Sequence, residues 1–322
     1  MLAAPQVKRI LFATDFLESS RLALDYAVAF AHHFKATIVM MHALELSTPA
    51  REAELLASRP SVSRQAALER LSAFAAGVRC TGLEVEAFVE DDVPRDAILH
   101  AVDDHSVDLL VLGIHGVHRG LAHLVVGSNT ERILCSATCP TMTVGAHVMA
   151  GVDPTLHFKE IVYISDCTPE AAAAAPYAAF LGNEFHAPID VCHLIPETVE
   201  DNPRLHLDLA ERYCEALRQV LPNPGPHWGE PSFHVDRGME ADEIIDRAQN
   251  QSAGLIVLGV HNESHLGRHI HTSLAYQLLA TATCPVVSIR GCIQAGVSPT
   301  GSDLSCAMRS ARRDSQLHSC VK

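Results

Sequence analysis

Gly113 and Gly116, with two residues between them, and Gly127 followed at once by Ser128 form the spacing in this chain best suited to anion chemistry. Glycines let backbone N–H groups approach a ligand closely, and a helix N-terminus offers unpaired N–H groups with partial positive charge. The residues before them, Val107 to Leu112, are mostly apolar and predict a buried strand that the glycines end in a loop. After them, Ser128 stands three residues ahead of Glu131 at the start of a helical run, Asn129 to Cys135, which is the pattern of a capping box. Strand, glycine loop and capped helix together make a phosphate cradle. The same residues also read as a Gly-rich turn with a capped helix behind it.

Other chemistries find less support. His118 and Arg119 lie in the loop as cations for phosphate oxygens, the Arg being suited to a bidentate contact, although exposed loop cations are commonly just solvated. His115, His118 and His123, and again His261, His265, His269 and His271, invite a metal. Zinc needs three or four convergent ligands, and histidines spaced by four converge only on a helix, whereas Gly267 argues for a loop. No metal site is assigned. There is no Gly-x-x-x-x-Gly-Lys-Ser/Thr loop, no Gly-x-Ser-x-Gly elbow and no His-Glu-x-x-His helix, so no catalytic residue is assigned either.

The elements that must position the glycines follow from composition and pattern. At 322 residues the chain has room for two domains, and 48% hydrophobic residues suit a packed core. No apolar run reaches the ~20 residues of a membrane span, and Met1 to Gln6 lacks the pattern of an export signal, so a cytoplasmic protein without membrane contact is expected. A formal net charge of −14 disfavours nucleic acid as a partner. Ten cysteines show no disulfide spacing, and Cys139 and Cys284, each before a proline, read as buried free thiols.

The chain repeats itself. Ile10 to Asp15 returns as Ile161 to Asp166, Ala36 to His42 as Ala187 to His193, Leu109 to His115 as Leu255 to His261, and Ala137 to Val144 as Ala282 to Ile289. Within each copy short apolar runs alternate with helical periods, the pattern of buried parallel strands joined by crossover helices. Ala23, Tyr26, Ala27, Phe30, Ala31 and Phe34 fall on one helical face. Leu83 to Val89 predicts a third strand, and Pro94 opens a helix to about Asp104. Each copy is therefore an open α/β sheet of five strands and four helices, in which ligands bind beyond the carboxyl ends of the strands where strand order reverses. Gly145 to His157 is a linker, and the polar run after Arg290 a mobile tail carrying Cys292, Cys306 and Cys320. The expected domains are residues 1–148 and 155–290, with a tail at 291–322.

The glycine pattern and the repeat resemble the universal stress protein family, over roughly residues 7–145 and 159–290. ATP-binding members of that family carry Gly, two residues, Gly, nine residues, Gly, then Ser or Thr. Here Gly113, Gly116, Gly127 and Ser128 match, but ten residues, Val117 to Val126, separate the last two glycines. The resemblance implies two tandem open five-stranded parallel sheets, strand order 3-2-1-4-5, with helices on both faces. It also implies a site built from Ala13, Thr14, Asp15, Ala43, Leu112, Gly113, Gly116, Gly127, Ser128 and Asn129, holding ATP or another adenine nucleotide. Asp15 is a nucleoside contact on that reading, and equally a cap for the first helix with Glu18 three residues on; Ala43 and Leu112 equally read as core.

The second copy keeps Gly259 but has Asn262 and Thr272 at the other two glycine positions, so its loop is degraded. The implied role is a cytoplasmic ATP-binding regulatory protein of stress survival, with at most slow hydrolysis; the alternative is a nucleotide-free interaction scaffold of the same fold. The final strands, Thr141 to Val144 and Val286 to Ile289, are apolar sheet edges without Lys or internal Pro, and are expected to pair within the chain. Further association into a homodimer is compatible with that pairing.

Overall fold

A computed structural model describes residues 5–44, 63–114, 117–119, 123–125, 128–148, 156–165, 169–195, 211, 214–215, 217–219, 221, 230–237, 244, 246, 254–260 and 274–291. The chain divides into two compact units, residues 1–156 with 263–288, and 157–262 with 289–322.

The first unit runs β1 (Arg9–Ala13), α1 (Glu18–Phe34), β2 (Thr37–Ala43), α2 (Arg64–Arg79), β3 (Val85–Glu90), α3 (Pro94–Asp104), β4 (Leu109–Gly113), β5 (Val117–Arg119), β6 (His123–Val125), α4 (Ser128–Ser136) and β7 (Thr141–Val144). Its sheet has the order β3-β2-β1-β4-β7, all parallel. The chain walks outward from β1 through β2 to β3, then crosses back to place β4 on the other side of β1. Strand order therefore reverses between β1 and β4, where Ala13 stands opposite Leu112.

Local sequence explains the elements. Leu11, Ala13, Val39, Met41, Leu110 and Leu112 pack with Ala97, Ile98, Ala101 and Val102 of α3 and Ile133 of α4. Alternate strand residues point to the other face, where α1 packs on β1 and β4 and α2 packs on β2 and β3. Ala23, Ala27, Phe30 and Ala31 are the buried stripe of α1, and Tyr26 and Phe34 are half-buried beside it. The α2 helix is capped by Ser63, whose side chain accepts from the Ala66 N–H at 3.2 Å. Pro94 occupies the first turn of α3, where its missing N–H has no partner to lose.

The ends of two elements, and the loop between two glycines, differ from the sequence expectation. The third strand starts at Val85 and ends at Glu90, and α4 starts at Ser128 and ends at Ser136, shifts of the size that fraying helix and strand ends produce. Between Gly116 and Gly127 the expected plain loop contains an antiparallel hairpin, β5 with β6, pairing Val117 with Val125 and Arg119 with His123. The paired valines, Val117 and Val125, at the open end of the ladder favour the extended state.

The first unit also holds α6 (Leu274–Thr281) and most of β12 (Val286–Arg290), which come from the end of the second sequence copy. β12 pairs antiparallel with β7, Val286 opposite Thr143 and Ser288 opposite Thr141. Side chains add to the ladder: Thr143 Oγ1 donates to the Val286 carbonyl and Ser288 Oγ to the Thr141 carbonyl, both at 3.2 Å. The apolar edge of β7 is thus covered.

The second unit contains β8 (Ile161–Ser165), α5 (Pro169–Glu184), β9 (Ile189–Ile195), β10 (Ser232–Arg237) and β11 (Leu255–Val260), with parallel strands in the order β10-β9-β8-β11. One departure from the first copy lies in its core. Asp190, fully buried, stands where the repeat has Val39, and His234 stands where strand register places Phe88. The carboxylate accepts from Ser232 Oγ at 2.6 Å and meets His234 Nε2 at 3.0 Å, so the buried acid is hydrogen-bonded.

Candidate functional site

Two loops leave neighbouring strand ends at the point of reversal in the first unit, one after β1 and one after β4. The first is shaped by side chains bonding their own backbone. Thr14 Oγ1 accepts from the Phe16 N–H at 2.9 Å, and Asp15 Oδ1 accepts from the Leu17 N–H at 2.9 Å and from Ser20 Oγ at 2.6 Å. These two successive turns curl the chain from strand into helix. Phe16, between them, takes a left-handed backbone with φ 63°.

Asp15 is not the cap residue expected from its spacing to Glu18. The cap position is Leu17, which has no side-chain bond, because the turn at Phe16 inserts one further step before the helix. Asp15 instead braces the turn from outside the helix and remains exposed.

The second loop begins at Gly113. A Cβ there would lie 2.6 Å from the Ser19 carbonyl carbon and 2.6 Å from the Ser20 backbone nitrogen. Only a residue without a side chain lets the first turn of α1 reach the end of β4. In the sequence Gly113 reads as a ligand-facing glycine; its packing duty becomes visible only once α1 is in place.

The remaining expected site residues sort by element. Ala13 and Thr14 are buried at the end of β1, and Leu112 is buried in β4. Ala13 and Leu112 belong to the core cluster under α3 and α4, with Ala43 packed against it at the end of β2. Asn129 is exposed in the first turn of α4. Ser128 opens that helix, but its side chain, Gly116 and Gly127 lie outside the described residues, as do the side chains of His118 and Arg119. Asn262, Thr272, the histidines from His261 to His271 and the tail cysteines lie outside them as well.

Sequence reasoning missed Phe16, His42 and Arg70. The His42 Nδ1–H donates to the Thr14 carbonyl at 2.7 Å, tying the ends of β1 and β2 together. Burial lowers its pKa against the opposing pull of that bond and of Asp15, and the nearby Arg70 guanidinium lowers it further. The Phe16 ring lies 4.4 Å from the His42 ring, with the Arg70 guanidinium 4.5 Å from its centroid and Phe74 edge-on at 5.8 Å. A signal existed in the repeat: His193 of the second copy makes the same bond to the Ser165 carbonyl at 2.7 Å.

Comparison with known proteins agrees with this architecture. The model of the universal stress protein family matches residues 6–145 and 157–290. A universal stress protein of Methanocaldococcus jannaschii is 29% identical over 142 residues, spanning 41% of this chain and 82% of its own. A universal stress protein A homologue of Coxiella burnetii is 30% identical over 141 residues, spanning 42% of this chain and 95% of its own. Among solved structures, a universal stress protein of Archaeoglobus fulgidus covers 88% of this chain and 98% of its own with a TM-score of 0.63 at 17% identity, a likeness of fold. With both repeats matched over most of its length, the chain belongs to the universal stress protein family.

Proposed function

We propose that the first unit binds one adenine nucleotide, ATP in the first instance, and that the chain acts as a cytoplasmic regulatory protein of stress survival. The observation that carries this is the close approach at Gly113, which sets the end of β4 against the first turn of α1, whose Ser20 is bonded to Asp15, at the strand-order reversal. The nucleoside lies against Asp15, Ala43 and Leu112. The phosphates lie on the loop from Gly113 through Gly116 to Gly127, with Ser128 and Asn129 at the start of α4. The second repeat, with Asn262 and Thr272 in place of glycines, binds nucleotide weakly or not at all. The two repeats, residues 1–148 and 155–290, act as one intrachain pair through β7 and β12.

Identifying the small molecules released when freshly purified protein is denatured tests this reading. The expected result is adenine nucleotide at close to one equivalent per chain. A second reading, a nucleotide-free interaction scaffold, is favoured by the hairpin that lengthens the glycine loop. Empty protein that takes up no added ATP selects it.

A further inference from the structure

We propose that Phe16, clamped by His42 and Arg70, is a positioning residue that holds Asp15 in its ligand-facing place; this rests on the nucleotide reading above. A bulky aromatic residue rarely adopts a left-handed backbone, and such outliers persist only where their surroundings over-determine them. Phe16 has φ 63°, and four contacts hold it there. Its N–H is bonded to Thr14 Oγ1, and its buried ring meets His42, Phe74 and the Arg70 guanidinium. His42 is itself fixed by the Thr14 carbonyl, so the residues on either side of Asp15 are both immobilised. Asp15 then has little freedom beyond its bonds to Leu17 and Ser20.

The two copies separate this role from plain support of the strand ends. Both keep the histidine-to-carbonyl bond, at 2.7 Å in each, so that bond serves the shared fold. At the position of Phe16 the second copy has Cys167, which cannot provide an aromatic ring for such a stack. An aromatic residue at this position thus accompanies the copy that retains all three glycines, whereas the copy with Asn262 and Thr272 has a cysteine there. Arg70, exposed on α2, completes the clamp from the solvent side.

The test uses the full chain with Phe16→Cys, Phe16→Tyr and Arg70→Gln. ATP affinity is measured by calorimetry, thermal midpoint by calorimetric scanning, and amide exchange over residues 14–20 without nucleotide. Phe16→Cys is expected to weaken ATP at least tenfold and to speed exchange in that segment at least tenfold. Phe16→Tyr should restore both to within about twofold. Arg70→Gln, at a surface position, should weaken ATP about threefold with an unchanged thermal midpoint. Exchange in Phe16→Cys equal to wild type overturns the positioning role whatever ATP does. Faster exchange with unchanged ATP affinity also overturns it. Wild-type protein that binds no ATP overturns the nucleotide reading, and with it the ligand-facing role of Asp15; exchange then reports only whether the clamp orders the turn.

Discussion

The Cβ that Gly113 lacks would stand 2.6 Å from the backbone nitrogen of Ser20, so the helix start and the glycine loop are set side by side by the absence of one methyl group. Backbone atoms on both sides leave no flexible group to yield. Gly113→Ala is expected to cost about 1–3 kcal/mol in urea unfolding through forced displacement of α1. Gly77→Ala, in the last turn of α2 with nothing within 4 Å of its Cβ, should instead be neutral or gain up to about 0.5–1 kcal/mol. Equal effects at the two positions would contradict the packing account.

His42 gives the first unit a defined response to acid. Burial lowers its folded-state pKa below the ordinary 6.5, so the unfolded chain binds the proton more readily than the folded one. Stability contributed by the neutral imidazole is present above 6.5 and is lost as pH falls from there through the lowered folded value. His42→Asn, which keeps a donor for the Thr14 carbonyl but cannot titrate in this range, should flatten that part of the stability–pH curve. An identical slope in wild type and variant would assign the effect to another group.

In the second unit Asp190 and His234 replace a valine and a phenylalanine of the first repeat. His234→Ala leaves a fully buried carboxylate with fewer partners and is expected to destabilise by about 2 kcal/mol. That is below the roughly 3–5 of an enclosed pair because the imidazole is one-third exposed. Restoring the first-repeat residues together, Asp190→Val with His234→Phe, should recover most of the loss. A double variant no more stable than His234→Ala would show that the cluster does more than satisfy its own buried charge.

Thiol reactivity should divide by burial. Cys139 and Cys284 have pKa values pushed up to about 12, mainly by burial, which suppresses the nucleophilic thiolate. Brief alkylation of native protein at neutral pH, mapped by mass spectrometry, should modify exposed Cys80 and spare both. Rapid labelling of Cys139 would mean that the turn between α4 and β7 opens readily.

Much of this architecture was legible in the residues, and the exceptions share a cause. Apolar runs such as Leu109 to Leu112 and the α1 stripe from Ala23 to Ala31 announce strands and helix because each is a periodic, local pattern. The repeat announced that the pattern occurs twice, and the bare edge at Thr141 to Val144 announced a partner strand. What could not be read depends on contacts distant in sequence. Gly113 looks like any loop glycine until Ser20 is beside it, and Asp15 looks like a helix cap until the backbone of Phe16 turns left-handed. The stack of Phe16, His42 and Arg70 joins three separate elements whose residues form no motif.

The most direct measurement of the central claim is a calorimetric titration of the full chain with ATP, beside Gly127→Val. Wild type should bind with a stoichiometry near one, because the first repeat keeps its glycines and the second has Asn262 and Thr272 in their place. Gly127→Val should lose affinity while the fold is retained, since it sets a branched side chain in the phosphate loop. Two equal sites, no binding, or unchanged affinity in Gly127→Val would each contradict a single nucleotide held by the first repeat's glycine loop.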